Sequence, residues 1–271
     1  MTGIAEGLQS VRLARTSARL TGAAVSALAG CIPGIMLAAA VWIGGGVRKP
    51  LPAGGLHVLF VGNSLTYTND LPGTVAALGA LVGDTIRVAS ATGPDLALID
   101  HLNGRSSALE QIRQDGWQFV VLQQGPSSLP VSRDSLVLWT AAFDPFIRAV
   151  GARPALFMVW PSRERQAAFD AVHQSYLLAS RAVHGLFMPA GVAWLRAWTV
   201  DSTLPLYGPD GFHPAPLGTY LAALVIYERL TGHDARALPA RILVGGRELS
   251  FSSATARLLQ AAAHEADAQD P

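Results

Sequence analysis

Ser64 follows an apolar run that ends abruptly in a glycine, within the stretch HVLFVGNSLTYTNDLP at residues 57–72. The run Val58–Val61 is typical of a buried strand, and Gly62 permits a tight turn that a Cβ would hinder. Parallel sheets place their active sites just past the carboxyl ends of strands, and backbone N–H groups there can stabilise an oxyanion. Ser64 is therefore a candidate nucleophile. An ordinary polar turn is the alternative, because serine and asparagine are common turn residues.

Asp210 and His213 stand three residues apart in a loop rich in glycine and proline, YGPDGFHPAPLG at residues 207–218. Such a loop can bring the two side chains together. The carboxylate can then accept the Nδ1 proton and orient the imidazole, which leaves Nε2 free as a base. The alternative is an Asx turn beside an exposed histidine. We interpret the remaining histidines as surface or strand-edge residues; they lie at positions 57, 101, 173, 184, 233 and 264.

Two further strand ends carry groups that could support the same chemistry. The apolar run from Phe119 ends in Gln123 and Gln124, and each amide could donate an N–H group to an oxyanion. Gly93 follows the second candidate strand and could offer its backbone N–H. A glutamine that caps the strand end, or a glycine that only makes a turn, would explain each feature equally well.

The elements that must position these residues alternate along the chain. We predict strands at 57–61, 85–89, 119–123, 155–159 and 185–188. We predict helices at 71–81, 108–115, 135–150, 163–184, 192–198, 217–231 and 254–266. This alternation favours an α/β domain with a mostly parallel five-stranded sheet that helices cover on both faces. The carboxyl ends of its strands share one edge, so the candidate residues should face one crevice.

The composition limits the classes of function. Half of the 271 residues are hydrophobic, 14% are charged and the formal net charge is +1. These values allow a large core, and without a basic stripe we expect no nucleic-acid partner. Cys31 is the single cysteine, so a disulfide within the chain is impossible. Asp210 and His213 suggest no third ligand, so a metal site is not expected.

Residues 1–49 are interpreted as a signal or membrane-anchor segment. Three arginines precede an uncharged stretch from Leu20 to Val47, which exceeds the roughly 20 apolar residues needed to cross a bilayer. Leu28–Cys31 also looks like a lipobox, although the residues after Cys31 stay apolar, where lipoproteins usually turn polar. Ala38–Ala40 could serve as a cleavage site. We expect an exported protein of the cell envelope, with a linker at 50–55 and a globular domain at 56–271.

These residues resemble the SGNH/GDSL hydrolases. FVGNSLT, residues 60–66, is similar to the first sequence block of that family, with Asn63 where many members have Asp. DGFHP, residues 210–214, closely resembles its last block, Asp-x-x-His, and Gly93 matches its glycine block. PAGVAWLRA, residues 189–197, resembles a segment of GNSLT-type members. The resemblance runs from about His57 to His233, and the first and last blocks are specific as a pair.

The resemblance implies a flavodoxin-like, three-layer α/β/α fold and serine esterase chemistry. By position, Ser64 would be the nucleophile, His213 the base and Asp210 its orienting acid. The backbone N–H groups of Ser64 and Gly93 would contribute to the oxyanion hole. The third block of the family usually supplies an asparagine as a further donor, but LQQGPSS at residues 122–128 has none. We expect Gln123 or Gln124 to substitute, and prefer Gln123 because similar members also carry Leu-Gln there.

The leading hypothesis is an exported serine hydrolase that cleaves esters, such as acetyl esters of carbohydrates, through an acyl-enzyme on Ser64. It needs no metal or cofactor. An O-acyltransferase with the same triad and a non-catalytic glycan-binding module are the alternatives, and the missing asparagine motivates the second of these. The expected partners are a small-molecule or glycan ester and, through the N-terminal segment, a membrane.

Overall fold

The computed structural model describes residues 51–114, 116–244 and 247–269. The predicted N-terminal segment, with Cys31, lies outside these residues. Among the described helices, none combines the length and the apolar character needed to cross a membrane.

Five parallel strands form the central sheet. They are β1 (Leu56–Gly62), β2 (Ile86–Thr92), β3 (Phe119–Leu122), β4 (Arg153–Phe157) and β5 (Leu186–Met188). Their spatial order is β2-β1-β3-β4-β5, and every neighbouring pair is parallel. This order is the flavodoxin-like one, in which the chain reverses direction of travel between β1 and β3. The predicted fold class is confirmed.

Helices connect the strands and cover the sheet. They are α1 (Ser64–Tyr67), α2 (Leu71–Ala80), α3 (Leu98–Leu102), α4 (Ala108–Ile112), α5 (Pro130–Ala149), α6 (Phe169–Ala182), α7 (Ala190–Val200), α8 (Pro216–Thr231) and α9 (Ser253–Gln269). Helices α2, α7, α8 and α9 pack in one layer, in which α8 contacts the other three, and α5 packs against α6 in a second group. Short 3₁₀ turns occupy Thr68–Asp70, Arg163–Ala168 and Ala235–Ala237.

The core is continuous from the sheet into the α8 layer. Val58–Val61 is completely buried, as expected for a strand that is paired on both sides and covered on both faces. Trp160 and Trp194 stack with ring centroids 3.7 Å apart and join the end of β4 to α7. Gly218 lets α8 approach this stack, because a Cβ there would lie 2.5 Å from Cζ2 of Trp194. The aromatic stack therefore fixes the start of α8 beneath the loop of residues 207–214.

The structure differs from the predicted elements at several places. A two-stranded antiparallel hairpin, β6 (Arg241–Val244) with β7 (Arg247–Ser250), was not predicted from the sequence. Each strand has only four residues, and the Gly-Gly dipeptide between them is the signal that could have revealed the hairpin. The predicted helix at 163–184 becomes a 3₁₀ turn followed by α6, since Arg165 departs from helical geometry. Two helices, α1 and α3, were also missed because they have only four and five residues.

Candidate active site

Ser64 is the first residue of the short helix α1, two positions after the last residue of β1. Asn63 caps this helix, because its Oδ1 accepts a hydrogen bond from the backbone N–H of Leu65 at 3.1 Å. Ser64 is 8% exposed, so most of the residue is buried. The serine therefore lies at the carboxyl edge of the sheet, where the sequence predicted it.

Three side chains form a hydrogen-bonded chain at this edge. Nε2 of His213 lies 2.8 Å from Oγ of Ser64, although the two residues are 149 positions apart. Nδ1 of His213 lies 2.5 Å from Oδ2 of Asp210. A carboxylate only accepts, so Nδ1 carries the proton and Nε2 is left to accept the serine proton. The arrangement is that of a serine nucleophile, its general base and an orienting carboxylate.

The carboxylate of Asp210 is held by three donors. Its Oδ1 accepts the backbone N–H groups of Phe212 and His213, each at 3.0 Å, while Oδ2 accepts from the imidazole. The bond from His213, and after it the N–H of Phe212, lower the pKa of Asp210 to about 2. Asp210 is consequently ionised at neutral pH.

The loop that carries the base is fastened to neighbouring elements. Nε1 of Trp160 donates to the carbonyl of Phe212 at 3.0 Å, and the hydroxyl of Tyr207 donates to the carbonyl of Pro161 at 2.6 Å. Within the loop, the N–H of Gly208 donates to the carbonyl of His213 at 2.7 Å. These bonds fix the loop against the end of β4, so the position of His213 does not depend on the loop alone.

Asn69 ties the nucleophile side of the site to the base side. Its Nδ2 donates to the carbonyl of Pro214 at 2.8 Å and to Oγ1 of Thr219 at 2.9 Å. Asn69 adopts φ 55°, a left-handed conformation that asparagine tolerates better than most residues. Sequence reasoning missed Asn69, and the Asn-Asp pair after the nucleophile motif is the signal that could have drawn attention to it.

Gln123 is completely buried beside the nucleophile. Its Oε1 accepts the backbone N–H of Asn63 at 2.9 Å and the hydroxyl of Thr66 at 2.7 Å. Its Nε2 donates to Oδ1 of Asn63 at 2.9 Å and to the carbonyl of Gln124 at 2.5 Å. Both amide hydrogens are therefore donated inside the protein. These contacts do not fit the oxyanion-donor role that we predicted for Gln123.

Gln124 has a different set of contacts. Its Oε1 accepts the backbone N–H of Leu98 at 3.3 Å, and its Nε2 donates one hydrogen to Oγ of Ser127 at 3.0 Å. The second amide hydrogen has no acceptor in the part of the chain that the structure describes. Of the two glutamines, Gln124 is thus the one that retains a donor for a ligand.

The two backbone donors implied by the resemblance differ in how strongly they are held. The N–H of Ser64 makes no hydrogen bond to any described residue. The N–H of Gly93 lies 3.4 Å from the carbonyl oxygen of Gly62, which is longer than an ordinary N–H···O bond. Both donors therefore remain predictions for the oxyanion hole, and neither is committed to a strong internal bond.

His101 contacts the carbonyl of Gly62, at the start of the turn that carries Ser64. It is completely buried, and its Nε2 lies 3.1 Å from the carbonyl oxygen of Gly62. That oxygen only accepts, so Nε2 carries the proton and Nδ1 accepts from Oγ of Ser106, 2.6 Å away. Burial lowers the pKa of His101, in keeping with a neutral ring. The interpretation of His101 as a surface or strand-edge residue was wrong, because α3 places its ring in the core, against the carbonyl of Gly62 at the end of β1.

The interpretation of His233 as a surface or strand-edge residue was also wrong. It is 5% exposed, and its Nδ1 lies 2.8 Å from Oδ2 of Asp84, to which Tyr227 also donates at 2.9 Å. This pair joins the end of α8 to the turn before β2. It lies apart from the triad and serves the packing of the helical layer.

The side of the triad that carries Asp210 and His213 is open to solvent, whereas Ser64 is largely buried. The side chains of Asp210 and His213 are 51% and 36% exposed. A cavity of about 340 Å³ adjoins Gly93 and is bounded by Thr92 and Ser106. A larger cavity of about 990 Å³ lies at the opposite edge of the sheet, since Arg153 and Leu186, the first residues of β4 and β5, line it. Cavity volume therefore does not identify the candidate active site. The arrangement of Ser64, His213 and Asp210 identifies it.

Comparison with solved structures identifies the fold. A DUF4886 family protein from Bacteroides uniformis matches with a TM-score of 0.67 and 17% identity, over 79% of this chain and 95% of that one. A protein from Slackia heliotrinireducens, assigned as an SGNH hydrolase, matches with a TM-score of 0.53 and 27% identity, over 65% of this chain and 99% of that one. The lipase/acylhydrolase from Enterococcus faecalis matches with a TM-score of 0.50 and 17% identity, over 68% and 97%.

The sequence comparisons add no further relative. No protein-family model matches the chain, and no curated protein matches it. The structural matches cover nearly the whole of each solved chain, so the shared part is a complete domain. They confirm the resemblance that the sequence blocks indicated.

Proposed function

We propose that this chain is a serine esterase of the SGNH/GDSL hydrolases, and its fold together with its first and last sequence blocks supports the proposal. The observation that supports the proposal is the continuous chain of hydrogen bonds from Asp210 through His213 to Ser64, at 2.5 and 2.8 Å. The distance from Nε2 of His213 to Oγ of Ser64 is already within the range required for proton transfer. The proposed reaction therefore needs no rearrangement of the triad before it begins.

In the proposed reaction, Oγ of Ser64 attacks the ester carbonyl carbon while Nε2 of His213 accepts the serine proton. Asp210 stabilises the imidazolium that forms. The C–O bond to the alcohol then breaks, and the alcohol leaves with the proton from Nε2. Water attacks the acyl-enzyme with His213 again as base, which releases the carboxylic acid and restores Ser64.

The oxyanion of each tetrahedral intermediate would be stabilised by the backbone N–H groups of Ser64 and Gly93. We propose Gln124 as the third donor, in place of the asparagine found in many family members. The uncommitted amide hydrogen of Gln124 supports this choice, whereas Gln123 has none to offer.

The open position of the triad supports an ester with a large alcohol part. Half of the Asp210 side chain and a third of the His213 side chain face solvent, so a bulky alcohol such as a sugar chain would meet little obstruction. We therefore propose short acyl esters of carbohydrates as the substrate class.

The proposal is tested by assaying the full chain against chromogenic acetyl, butyryl and octanoyl esters and an acetylated oligosaccharide. Ser64→Ala should abolish turnover, because it removes the nucleophile. Ser132→Ala, at a partly exposed serine of α5 outside the triad, is the matched control and should keep the wild-type rate. Transfer of the acyl group to an added sugar would favour the acyltransferase alternative. A folded protein inactive on all four substrates would contradict the proposal.

A further inference from the structure

The side chain of Gln123 uses its whole hydrogen-bonding capacity on the nucleophile turn and its own strand. Two donors reach its Oε1, and Nε2 reaches two acceptors, with heavy-atom distances between 2.5 and 2.9 Å. The orientation of the amide is fixed by its partners. The backbone N–H of Asn63 can only donate and the carbonyl of Gln124 can only accept, so the oxygen must face the first and the nitrogen the second.

The partners of Gln123 lie on both sides of the nucleophile. Asn63 directly precedes Ser64, and Thr66 is two residues beyond it in the same turn of α1. Asn63 is held twice by Gln123, through its backbone N–H and through Oδ1. The Nδ2 of Asn63 donates to the carbonyl of Leu96 at 3.1 Å, a bond that the aspartate of many family members could not make. The side-chain amide of Gln123 thus forms hydrogen bonds on both sides of Ser64.

Gly62 is required for this closure. A Cβ at position 62 would lie 2.4 Å from Oε1 of Gln123 and 2.5 Å from Oγ1 of Thr66. Both atoms are buried and are hydrogen-bonded to each other, so neither can move aside without breaking this hydrogen bond. One interlocked unit therefore contains Gly62, Asn63 and Thr66 of the first block and Gln123 of the third. We call this unit the Gln123 clamp.

We propose that Gln123 is a positioning residue that holds Ser64 in its reactive geometry through Asn63 and Thr66, and donates no hydrogen bond to the substrate. This inference rests on the proposed function. It assigns to Gln123 a role different from that of the asparagine donor in the third block of the family. It also gives Thr66 a part in catalysis, because Thr66 donates the hydrogen bond that holds Gln123 in this orientation.

The clamp acts on the rate rather than on substrate binding. Fixing the turn directs Oγ of Ser64 at His213. It also directs the backbone N–H of Ser64 at the developing oxyanion, and both alignments matter in the transition state. A displacement of the nucleophile by about 1 Å can lower a rate by about 10²-fold. Loosening the clamp should therefore lower kcat and leave KM nearly unchanged.

Thr66 provides the sharpest test, because its hydroxyl already donates to Gln123 and is 1% exposed. Thr66→Val removes the hydroxyl at almost constant volume, and we expect kcat for a chromogenic acetyl ester to fall about 10- to 100-fold. Thr66→Ser keeps a hydroxyl and should recover most of the wild-type rate. Thr74→Val is the matched control, because Thr74 is buried in α2 and its hydroxyl donates to the carbonyl of Asp70 at 2.8 Å. This control should leave kcat unchanged.

A double-mutant cycle with Gln123→Met distinguishes positioning from direct donation. If both residues act through the clamp, the double variant should be no slower than Gln123→Met alone. If Gln123 instead donates to the oxyanion, Thr66→Val should keep the wild-type kcat, which would overturn the inference. Should Gln123→Met fail to fold, the comparison of Thr66→Val with Thr66→Ser and Thr74→Val still decides between these outcomes.

The rate at which a fluorophosphonate probe labels Ser64 separates this inference from the proposed function. A wild-type protein that neither turns over esters nor reacts with the probe would overturn the esterase proposal, and the positioning role with it. A wild-type protein that reacts, with a Thr66→Val variant labelled equally fast, would overturn the positioning role alone. Slower labelling of Thr66→Val, restored by Thr66→Ser, is the expected result.

Discussion

Replacing Asp210 with asparagine tests how His213, the proposed general base, is oriented while leaving its loop intact. The Oδ1 of an asparagine can still accept the backbone N–H groups of Phe212 and His213, which Asp210 now accepts at 3.0 Å. The amide nitrogen would take the place of Oδ2, which accepts from Nδ1 of His213 at 2.5 Å. Because that nitrogen only donates, Nδ1 must become the acceptor and the proton must move to Nε2. A protonated Nε2 cannot accept the proton of Ser64.

The magnitude follows from the exposure of the pair. Opposite charges about 4 Å apart interact by about 1 kcal/mol in water and about 4 kcal/mol at an effective dielectric constant of 20. These energies correspond to rate factors of about 5 and about 10³. The Asp210 side chain is 51% exposed, so we expect a decrease in kcat between about 5-fold and 10³-fold. The same substitution in a buried triad costs about 10⁴-fold.

The assay measures kcat and KM for a chromogenic acetyl ester from about pH 5 to about pH 9, where pH-rate profiles report essential acids and bases. Since the pKa of Asp210 is about 2, the carboxylate stays ionised throughout this range and adds no inflection of its own. Asp201→Asn is the matched control, because the exposed Asp201 accepts the backbone N–H and the hydroxyl of Thr203 at 2.9 and 2.6 Å. An Asp210→Asn variant within twofold of wild type would refute the reasoning, as would a folded variant that loses more than about 10⁴-fold.

Two further substitutions test the oxyanion hole and a buried acid. Gln124→Glu keeps an acceptor for Leu98 but removes both amide hydrogens, so kcat should fall by about 10²–10³-fold; a steady-state assay that finds less than a tenfold loss would contradict the donor role. Asp267 is 7% exposed, neither carboxylate oxygen has a hydrogen-bond partner among the described residues, and burial raises its pKa to about 8. The folded state then binds more protons than the unfolded state between pH 3.8, the ordinary pKa of an aspartate, and about pH 8, so the free energy of unfolding should fall as the pH rises through this window. Asp267→Asn should remove that dependence and stabilise the protein at pH 8 by at most about 5 kcal/mol. Thermal unfolding at both ends of the window checks this, and an unchanged pH dependence in the variant would count against it.

Properties that depend on neighbours along the chain could be predicted from the sequence. The alternation of short apolar runs with helical periods predicted a parallel sheet, and all five predicted strands exist within a few residues of their observed bounds. Gly62 before Ser64 marked the nucleophile turn, since a glycine after an apolar run indicates a tight turn. Asp210 and His213 are only three residues apart, so a compact loop was enough to bring them together.

The contacts between distant segments could be decided only by the tertiary structure. The sheet order places β3 beside β1, and this neighbourhood brings Gln123 against Asn63, which lies 60 positions away. The sequence offered two adjacent glutamines with identical chemistry and no means of telling their roles apart. In the fold, Gln123 faces the nucleophile turn and donates both hydrogens, whereas Gln124 faces α3 and keeps one.

The burial of His101 has the same origin. Nothing in its immediate sequence distinguishes it from an exposed histidine, because its partners are the carbonyl of Gly62 and the hydroxyl of Ser106. Composition and periodicity record which side chains prefer to be inside. A hydrogen bond requires a particular donor within about 3 Å of a particular acceptor, and for residues far apart in sequence only the packed chain sets that distance. The sequence by itself thus determined the reactive groups, and the tertiary structure decided which buried side chains hold them in place.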